Sequence, residues 1–523
     1  MDNNHNNRRI AKNTVFLYIR MFVMMAVGLF TSRVILQTLG VEDYGIYSAV
    51  GGFVAMFGLL SGTLTNSINR FLAFELGRGD WDKLKRVFST SLNVMMLLSL
   101  LVLLLGATVG VWFLNTHMVI PPGRESAANW VLAFSILAFI INLISVPYNA
   151  AVVAHERMSA FAYISIIDAL FRLAIVYALY VIPFDKLVTY SLLFTLVGLL
   201  IRIIYGIYCK RHFPECTYRL LFDKPLMKQI TSFAGWNFLV GSANLINNAG
   251  VNVMMNLFFG VTVNAARGIA TQLNTYAYRF FSNFMMALNP QITKSYAQGD
   301  LTYMHSLVCR GAKFSYFLIL FFLIPVCLEA HQILHLWLGI VPAFAVPFVQ
   351  LTLIASAINV LSGTIITSVH ATGNIRRFMI IVGAVEIINF PLTYLAFRLG
   401  ASPLAAYYIY IAIYLILMFL RFILTKDLIH MPASMFIRGV YLKALVVTIL
   451  ALILPAALRI LMPGETLLRF LLICLVSVAA TTAAIFYAGL DPEERGIIIR
   501  VIKKKLSLFT PSFSLIIAIF AAE

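Results

Sequence analysis

Leu39-Gly40-Val41 opens the stretch LGVEDYGIYSAV at residues 39–50, and a similar triplet, Phe259-Gly260-Val261, lies 220 residues further along the chain. Other short matches keep nearly the same spacing: Asn69 with Asn289, Gly79-Asp80 with Gly299-Asp300, and, at 217 residues, AHERMSAF from Ala154 with ATGNIRRF from Ala371. This self-similarity predicts two halves of similar structure that follow one another along the chain.

The composition places both halves in a membrane. Of the 523 residues, 61% are apolar and only 11% are charged, and the mean hydropathy is +0.90. Soluble domains average roughly 45–50% apolar and about 25% charged residues, so a water-soluble protein is excluded. The net charge of +18 does not indicate a nucleic-acid-binding protein, because most basic residues lie in short connections between apolar runs, where they set the orientation of membrane helices.

The apolar runs predict an all-α integral membrane protein. A bilayer core about 30 Å thick needs about 20 apolar residues per helix. On that basis the chain has about fourteen transmembrane helices, at approximately 13–38, 44–69, 87–114, 128–153, 160–182, 187–208, 230–258, 263–290, 311–334, 344–369, 378–397, 403–424, 441–461 and 467–489.

Basic residues set the orientation of these spans. With the N-terminus inside, and with a basic residue within three positions of the end of a span counted with the adjoining connection, 28 of the 39 lysines and arginines fall in inner segments, five in outer segments and six within spans. Cytoplasmic connections of membrane proteins carry such an excess of positive charge. The distribution therefore predicts that both termini are cytoplasmic.

The repeat divides the fourteen spans into domains. We predict an N-terminal six-helix lobe at 1–215, a C-terminal six-helix lobe at 216–430, two additional helices at 431–490 and a cytoplasmic or interfacial tail at 491–523. Because the repeat contains an even number of spans, the two lobes have the same orientation. Parallel repeats of this kind are typical of alternating-access transporters with a substrate site between the halves.

Four arginines within spans are candidate substrate-binding residues. Arg20 and Arg279 lie deep in their spans without an acidic residue three or four positions away, and we expect both to face a water-filled cavity. Pairing with an acid on another helix is the alternative. Arg33 and Arg267 lie near the outer ends of their spans, where a long side chain can instead reach the interface.

A stripe of amides on the seventh span is the second candidate feature. Asn237, Asn244, Asn248 and Asn252 fall within an arc of about 80° on a helix. Amides either join helices or line a wet groove, and the length of the stripe favours the groove. Amides bind sugar hydroxyls and arginines bind phosphates, so the substrate is expected to carry an anionic head and a sugar.

The remaining charged residues within spans are candidates for ion pairing or coupling. Asp168 and Arg172 are four positions apart on one span and are expected to neutralise one another. Glu386 either pairs with an arginine across the cavity or exchanges protons, and the sequence does not rank these two. No cysteine or histidine spacing, phosphate loop or nucleophile motif is present, so we predict no catalytic residue, metal or cofactor.

Three segments resemble a known family. The opening RRIAKNTVFLYIR, the stretch LGVEDYGIYSAV and the connector ELGRGDWDKLKRVFSTS, together with the plan of six, six and two helices, resemble Wzx-type polysaccharide flippases. These form the polysaccharide-transporter branch of the multidrug/oligosaccharidyl-lipid/polysaccharide (MOP) exporter superfamily. The resemblance covers about residues 8–490.

The resemblance implies a function and partners. Such proteins move undecaprenyl-pyrophosphate-linked oligosaccharide from the cytoplasmic to the periplasmic leaflet of the bacterial inner membrane, for O-antigen of lipopolysaccharide, capsule or exopolysaccharide. By this resemblance, the partners of this chain would be the polyprenyl-linked glycan, membrane lipids and the glycan polymerase and ligase, with no nucleic acid. A cationic cavity between the lobes is implied, and Arg20, Arg33, Arg267 and Arg279 fit it by position.

Three other functions were weighed. A cation-coupled multidrug exporter would need unpaired acids in its cavities, whereas the unpaired buried charges here are mostly basic. A lipid II flippase has the same head-group chemistry and stays open. A membrane glycan polymerase or ligase needs a large outer loop with catalytic residues, and the predicted outer loops are short.

Overall fold

The computed structural model describes residues 3–55, 57–116, 120–219, 223–338, 340–464, 466–496 and 499, which form helices joined by short connections. The helices are α1 (Asn3–Ala55), α2 (Gly58–Arg78), α3 (Trp81–Leu105), α4 (Val111–Thr116), α5 (Glu125–Ala154), α6 (Met158–Ala178), α7 (Lys186–His212), α8 (Lys224–Ala297), α9 (Leu301–Leu328), α10 (Ala330–Leu338), α11 (Ala345–Val360), α12 (Gly363–Thr372), α13 (Arg376–Arg398), α14 (Ala405–Lys426), α15 (Ala433–Phe436), α16 (Lys443–Leu461) and α17 (Leu467–Ala484). Short π-helical segments continue three of them, at Gly106–Gly110, Ile437–Leu442 and Ile485–Gly489.

The predicted helical membrane fold is confirmed. All fourteen predicted spans coincide with these helices, some across a short break. Among the described residues, eleven helical stretches are long and apolar enough to cross a membrane on their own. The other three predicted spans, 44–69, 230–258 and 263–290, carry more polar residues, because parts of them line the cavities described below.

Ion pairs show which connections share an end of the bundle. Arg124 binds both Asp43 and Asp185, which joins the connections after the first, third and fifth spans. At the other end Glu156, which follows the fourth span, binds Lys294 at the end of the eighth span. We call this second end, which also holds the N-terminal Arg9, the basic end. Successive connections thus lie at opposite ends of the bundle, as expected if each predicted span crosses from one end to the other.

Backbone geometry repeats at the spacing seen in the sequence. Gly40 bends α1 with φ 79° and ψ 171°, and Gly260 bends α8 with φ 80° and ψ −179°. Asp80 caps α3 by accepting a hydrogen bond from the Lys83 N–H, and Asp300 caps α9 in the same way from Tyr303. The backbone geometry therefore repeats at the 220-residue spacing between α1–α7 and α8–α14, which we call the N-terminal and C-terminal lobes.

The last helices are fastened to the C-terminal lobe by charge. Lys313 of α9 is fully buried and binds Glu494 at 2.7 Å and Asp491 at 3.0 Å. Burial disfavours a charge on Asp491, but hydrogen bonds from Lys443 and Lys313 hold its pKa below the ordinary value. At the opposite end Arg469 binds Glu329 at 2.9 Å. Of the predicted tail, only 491–496 and 499 lie among the described residues.

Gly40 provides a test of the bend. Its backbone angles lie in a region that only glycine occupies readily, while an added Cβ would meet no described atom within 4 Å. Gly40→Ala should therefore lower the unfolding free energy by about 1–3 kcal/mol through the backbone alone. Thermal unfolding of the detergent-solubilised protein measures this.

Gly28→Ala is the matched control, because Gly28 lies on the same helix with equal space around it and ordinary helical geometry. It should be neutral or raise stability by about 0.5–1 kcal/mol. Equal losses in the two variants would contradict the assigned bend.

Candidate substrate cavities

Three of the cavities formed by the described residues lie among the helices of the bundle. The N-lobe cavity, about 660 Å³, is enclosed by α1, α2, α5, α6 and α7. The inter-lobe cavity, about 520 Å³, lies between helices of both lobes. The C-lobe cavity, about 80 Å³, is enclosed by α8, α11, α13 and α14. The sequence predicted a groove between the halves and did not indicate the two cavities within the lobes.

The inter-lobe cavity lies on the axis that relates the two repeats. Five pairs of its lining residues are related by the repeat spacing: Asn66 with Met286, Asn69 with Asn289, Arg70 with Pro290, Ala73 with Thr293, and Val153 with His370. Equivalent positions of parallel repeats meet in this way only around their shared axis. The cavity therefore lies between equivalent parts of the two lobes.

The lining of the inter-lobe cavity is polar and carries no acidic residue among the described residues. Its amides and hydroxyls include Asn66, Asn69, Asn289 and Thr367, and Asn289 accepts a hydrogen bond from Thr367 at 2.9 Å. The Asn69 Oδ1 atom is buried and has no hydrogen-bond partner among the described residues. A buried polar atom without a partner is costly, so this amide is free to bind a ligand.

Glu156 closes the cavity towards the basic end. Its side chain is fully buried and accepts hydrogen bonds from Lys294 Nζ at 2.7 Å and Gln291 Nε2 at 2.6 Å. It also forms an ion pair with Arg9, whose Nε lies 2.8 Å from Glu156 Oε2 and whose Nη2 donates to Oε1 at 3.3 Å. Lys294 and Gln291 belong to the C-terminal lobe, whereas Arg9 and Glu156 belong to the N-terminal lobe. One carboxylate thus joins the two lobes.

A second contact mirrors the first across the repeat axis. Arg70 of the N-terminal lobe donates to the carbonyl oxygens of His370 and Ala371, both at 3.0 Å. These carbonyls precede Gly373, which has φ 76° and is the repeat counterpart of Glu156, a non-glycine residue with φ 59°. Left-handed geometry is unfavourable for a non-glycine residue, and at Glu156 three hydrogen-bond donors offset it.

Arg20 lies in the N-lobe cavity rather than between the lobes. It stacks on Phe161 at 4.5 Å and shares the cavity with Asp168 and Arg172. Asp168 accepts from Arg172 Nε at 2.8 Å, and Arg172 lies 4.0 Å from the centre of the Phe194 ring. The expected pair between these two residues is therefore present.

Arg267 lies in the C-lobe cavity and donates to the carbonyl oxygen of Asn248 at 3.2 Å. Arg279 is exposed on α8, one and two turns before Ser282 and Met286, which line the inter-lobe cavity. It thus lies on the helix face that adjoins this cavity. The side chain of Arg33 lies outside the described residues.

The amide stripe on α8 serves both roles considered for it. Asn244 donates to Glu386 Oε2 at 2.9 Å, which joins α8 to α13, whereas Asn248 lines the C-lobe cavity. Asn237 donates to the carbonyl of Phe233 on its own helix. Asn252 is exposed and is not among the residues described as lining the three cavities. Of the four amides, Asn248 is the one among the described lining residues of these three cavities.

Glu386 forms a buried ion pair with Arg421, at 2.7 Å, and Arg421 also donates to Asn359 at 2.7 Å. Arg421 was counted with the inner connections in the sequence, but it lies buried within α14. The positive-inside pattern does not distinguish a basic residue just beyond a helix from one in its last turns. Asn359 also lines the inter-lobe cavity, so the pair borders this space.

The inter-lobe site residues were not singled out by the sequence. Asn69 and Asn289 appeared there only as a repeat match, while Arg70 and Glu156 were not candidates. The signal that could have found them is the repeat itself, because equivalent positions near the ends of the second and eighth spans meet at the axis.

The charge on Glu156 should stabilise the joined basic ends. In Glu156→Gln the side chain keeps its size and backbone strain, but Lys294 and Arg9 lose their counter-charge. Loss of one partner of a buried pair typically costs about 3–5 kcal/mol. We expect a lower unfolding temperature and faster thiol labelling, from the basic end, of a cysteine introduced at Asn66.

Glu493→Gln is the control, because Glu493 is exposed and lies 3.8 Å from Arg310, and such surface pairs contribute about 0–1 kcal/mol. The assignment of Glu156 would be wrong if both variants had the unfolding temperature and the thiol-labelling rate of the parent protein.

Comparison with known proteins gives a distant sequence relative. No family model matches the chain. The uncharacterized membrane protein EpsK of Bacillus subtilis (strain 168) is 22% identical over 322 residues, which cover 60% of this chain and 61% of EpsK. The chain therefore matches about three fifths of the length of this curated relative.

Solved structures give a much wider match. An outward-facing multidrug-resistance MATE-family transporter of the MOP superfamily has a TM-score of 0.70 at 12% identity, covering 81% of this chain and 96% of that one. A MOP-superfamily transporter from Pyrococcus furiosus, described as having a binding pocket of reverse polarity that suggests a different function, has a TM-score of 0.67 at 13% identity, covering 80% and 96%. The chain is a multi-pass membrane protein with the fold of the MOP-superfamily transporters.

Proposed function

We propose that this protein is a flippase that moves a lipid-linked oligosaccharide from the cytoplasmic to the periplasmic leaflet of the bacterial inner membrane. The observation that carries the proposal is the inter-lobe cavity, which lies on the repeat axis and has amide, hydroxyl and cationic groups but no described acidic residue in its lining. The transporter fold and this lining together favour an anionic, sugar-bearing substrate.

The head group of such a substrate matches the groups near the inter-lobe cavity. A pyrophosphate is drawn to guanidinium groups, and Arg70 lines the cavity while Arg279 lies exposed on the adjoining face of α8. Sugar hydroxyls both donate and accept hydrogen bonds, as the side chains of Asn66, Asn69 and Asn289 do. The undecaprenyl chain remains in the surrounding bilayer during transfer.

Transport requires the lobes to separate at the basic end. In the structure, Glu156 and Arg70 close that end through contacts with the opposite lobe. The positive-inside pattern makes this end cytoplasmic, so loading from the cytoplasmic leaflet breaks these contacts, and their return releases the head outside. Glycan polymerase and ligase would then act on the released repeat units as downstream partners.

The ion pairs of Asp168 and Glu386, two acids in or beside the cavities, disfavour export of cationic drugs. Asp168 is bound by Arg172, and Glu386 is bound by Arg421. A drug cation would have to displace an arginine from either acid, which is costly away from water. Lipid II carries the same pyrophosphate head, so the choice of glycan is an outcome of the experiment below.

Asn69→Leu tests the inter-lobe cavity in cells that lack their own oligosaccharide flippase. The leucine side chain has a volume similar to that of asparagine but lacks the unpartnered amide. Losing one hydrogen bond to the substrate of about 1.4 kcal/mol corresponds to a factor of about ten. We therefore expect the amount of surface glycan to fall at least about tenfold. Single lipid-linked repeat units should accumulate on the inner leaflet.

Asn252→Leu is the matched control, since this exposed amide is on α8 and is not among the described cavity-lining residues. It should leave surface glycan unchanged at equal membrane level. An unchanged amount of surface glycan in cells with Asn69→Leu would show that the inter-lobe cavity is not the substrate site. Failure of the parent protein to restore glycan, with drug resistance or lipid II transfer instead, would refute the proposed substrate.

A further inference from the structure

We propose that the N-lobe cavity is a separate sugar-binding compartment, which holds the outer sugars of the glycan while the pyrophosphate and the sugar next to it stay between the lobes. This inference rests on the proposed function and adds a second site to it. Its basis is a difference between two halves that otherwise share one architecture.

The N-lobe and C-lobe cavities occupy equivalent places in the repeat. Six pairs of lining residues are related by a spacing of 220 or 217: Tyr47 with Arg267, Gly51 with Thr271, Val54 with Asn274, Ser135 with Thr352, Phe139 with Ser356, and Arg172 with Asn389. The same helices of each lobe therefore enclose the same region. Duplication alone would give two cavities of similar size.

The volumes differ about eightfold, at about 660 Å³ in the N-terminal lobe and about 80 Å³ in the C-terminal lobe. In the C-terminal lobe, the side chains of Glu386, Arg421 and Tyr414 lie near the cavity. Glu386 pairs with Arg421, and Tyr414 accepts a hydrogen bond from the Tyr410 hydroxyl at 3.0 Å. In the N-terminal lobe, Gly51, Gly58 and Gly198 line the cavity, and a Cβ on any of them would meet no described atom within 4 Å. One repeat is thus filled and the other kept open.

The chemistry of the open cavity fits a polyhydroxylated ligand. Ser145 and Ser191 donate to carbonyls of their own helices, so their oxygens can still accept hydrogen bonds from sugar hydroxyls. Asn149 Oδ1 and Arg20 Nε are buried and lack a hydrogen-bond partner among the described residues. Phe139 supplies an apolar ring for the C–H face of a sugar.

The charge of the N-lobe cavity narrows the ligand class. Arg20 and Arg172 are its described basic lining residues, and Asp168, its one described acidic residue, is bound to Arg172. The net positive charge admits neutral sugars and sugar acids and disfavours amines. Because Arg172 is already paired, Arg20 is the cation available to the ligand.

Gly198→Leu fills the cavity without removing any polar group. Two probes are offered to purified protein: the oligosaccharide released from the lipid-linked units that accumulate in cells lacking this protein, and sugar-free undecaprenyl pyrophosphate. We expect Gly198→Leu to weaken oligosaccharide binding at least tenfold and to leave undecaprenyl pyrophosphate binding unchanged. Gly51→Leu, from the other side of the cavity, should do the same and serves if Gly198→Leu does not fold.

Gly235→Leu is the matched control, because Gly235 is an exposed glycine of α8 with equal space around it, and it should bind both probes like the parent. Unchanged oligosaccharide binding in the folded cavity-filling variants, or no oligosaccharide binding by the parent, would overturn the sugar compartment. Absence of undecaprenyl pyrophosphate binding by the parent, or of accumulated lipid-linked units, would overturn the proposed function itself.

Discussion

The buried carboxylate of Glu156 holds the two lobes of this protein together. It lies in the turn between α5 and α6 and receives hydrogen bonds from Lys294 and Gln291 of the opposite lobe and from Arg9 near the N-terminus. An ion pair removed from water is strong only while all partners remain, so the contact is either complete or lost. This all-or-none character suits the proposed flippase, in which the basic end would have to alternate between a closed and an open state.

The sequence repeat accounts for the shared backbone geometry of the two lobes, and the residues that differ between the two copies account for the different side chains that line the cavities. Gly40 and Gly260 bend equivalent helices in the same way, and the repeat axis places Asn69 beside Asn289. Among the described lining residues of the inter-lobe cavity the guanidinium comes from the N-terminal lobe alone, because Arg70 has Pro290 as its counterpart. The proposed substrate, with a charged head and a larger glycan, is asymmetric in the same sense.

The sequence predicted the fold well and the site only in part. Hydropathy, the bias of basic residues and the 220-residue spacing each report on backbone position, which the membrane constrains strongly. Side-chain direction is less constrained, so Arg20 was expected between the lobes but lies within one of them. Glu156 and Arg70 were missed because their partners are more than a hundred residues away in sequence. The repeat points to this region of the chain, but the packing of the lobes is needed to pair these side chains with their partners.

The most direct test of the account fixes the lobes to one another at the basic end. Phe74 and Tyr296 face each other across the lobes, with ring centres 6.5 Å apart. In a variant without the five native cysteines, Phe74→Cys and Tyr296→Cys are bridged by a short, reducible bis-thiol reagent, and transfer of lipid-linked oligosaccharide is measured in proteoliposomes. The account predicts that bridging stops transfer and that reduction restores it. Transfer at the unbridged rate by fully bridged protein would contradict alternating access by these lobes.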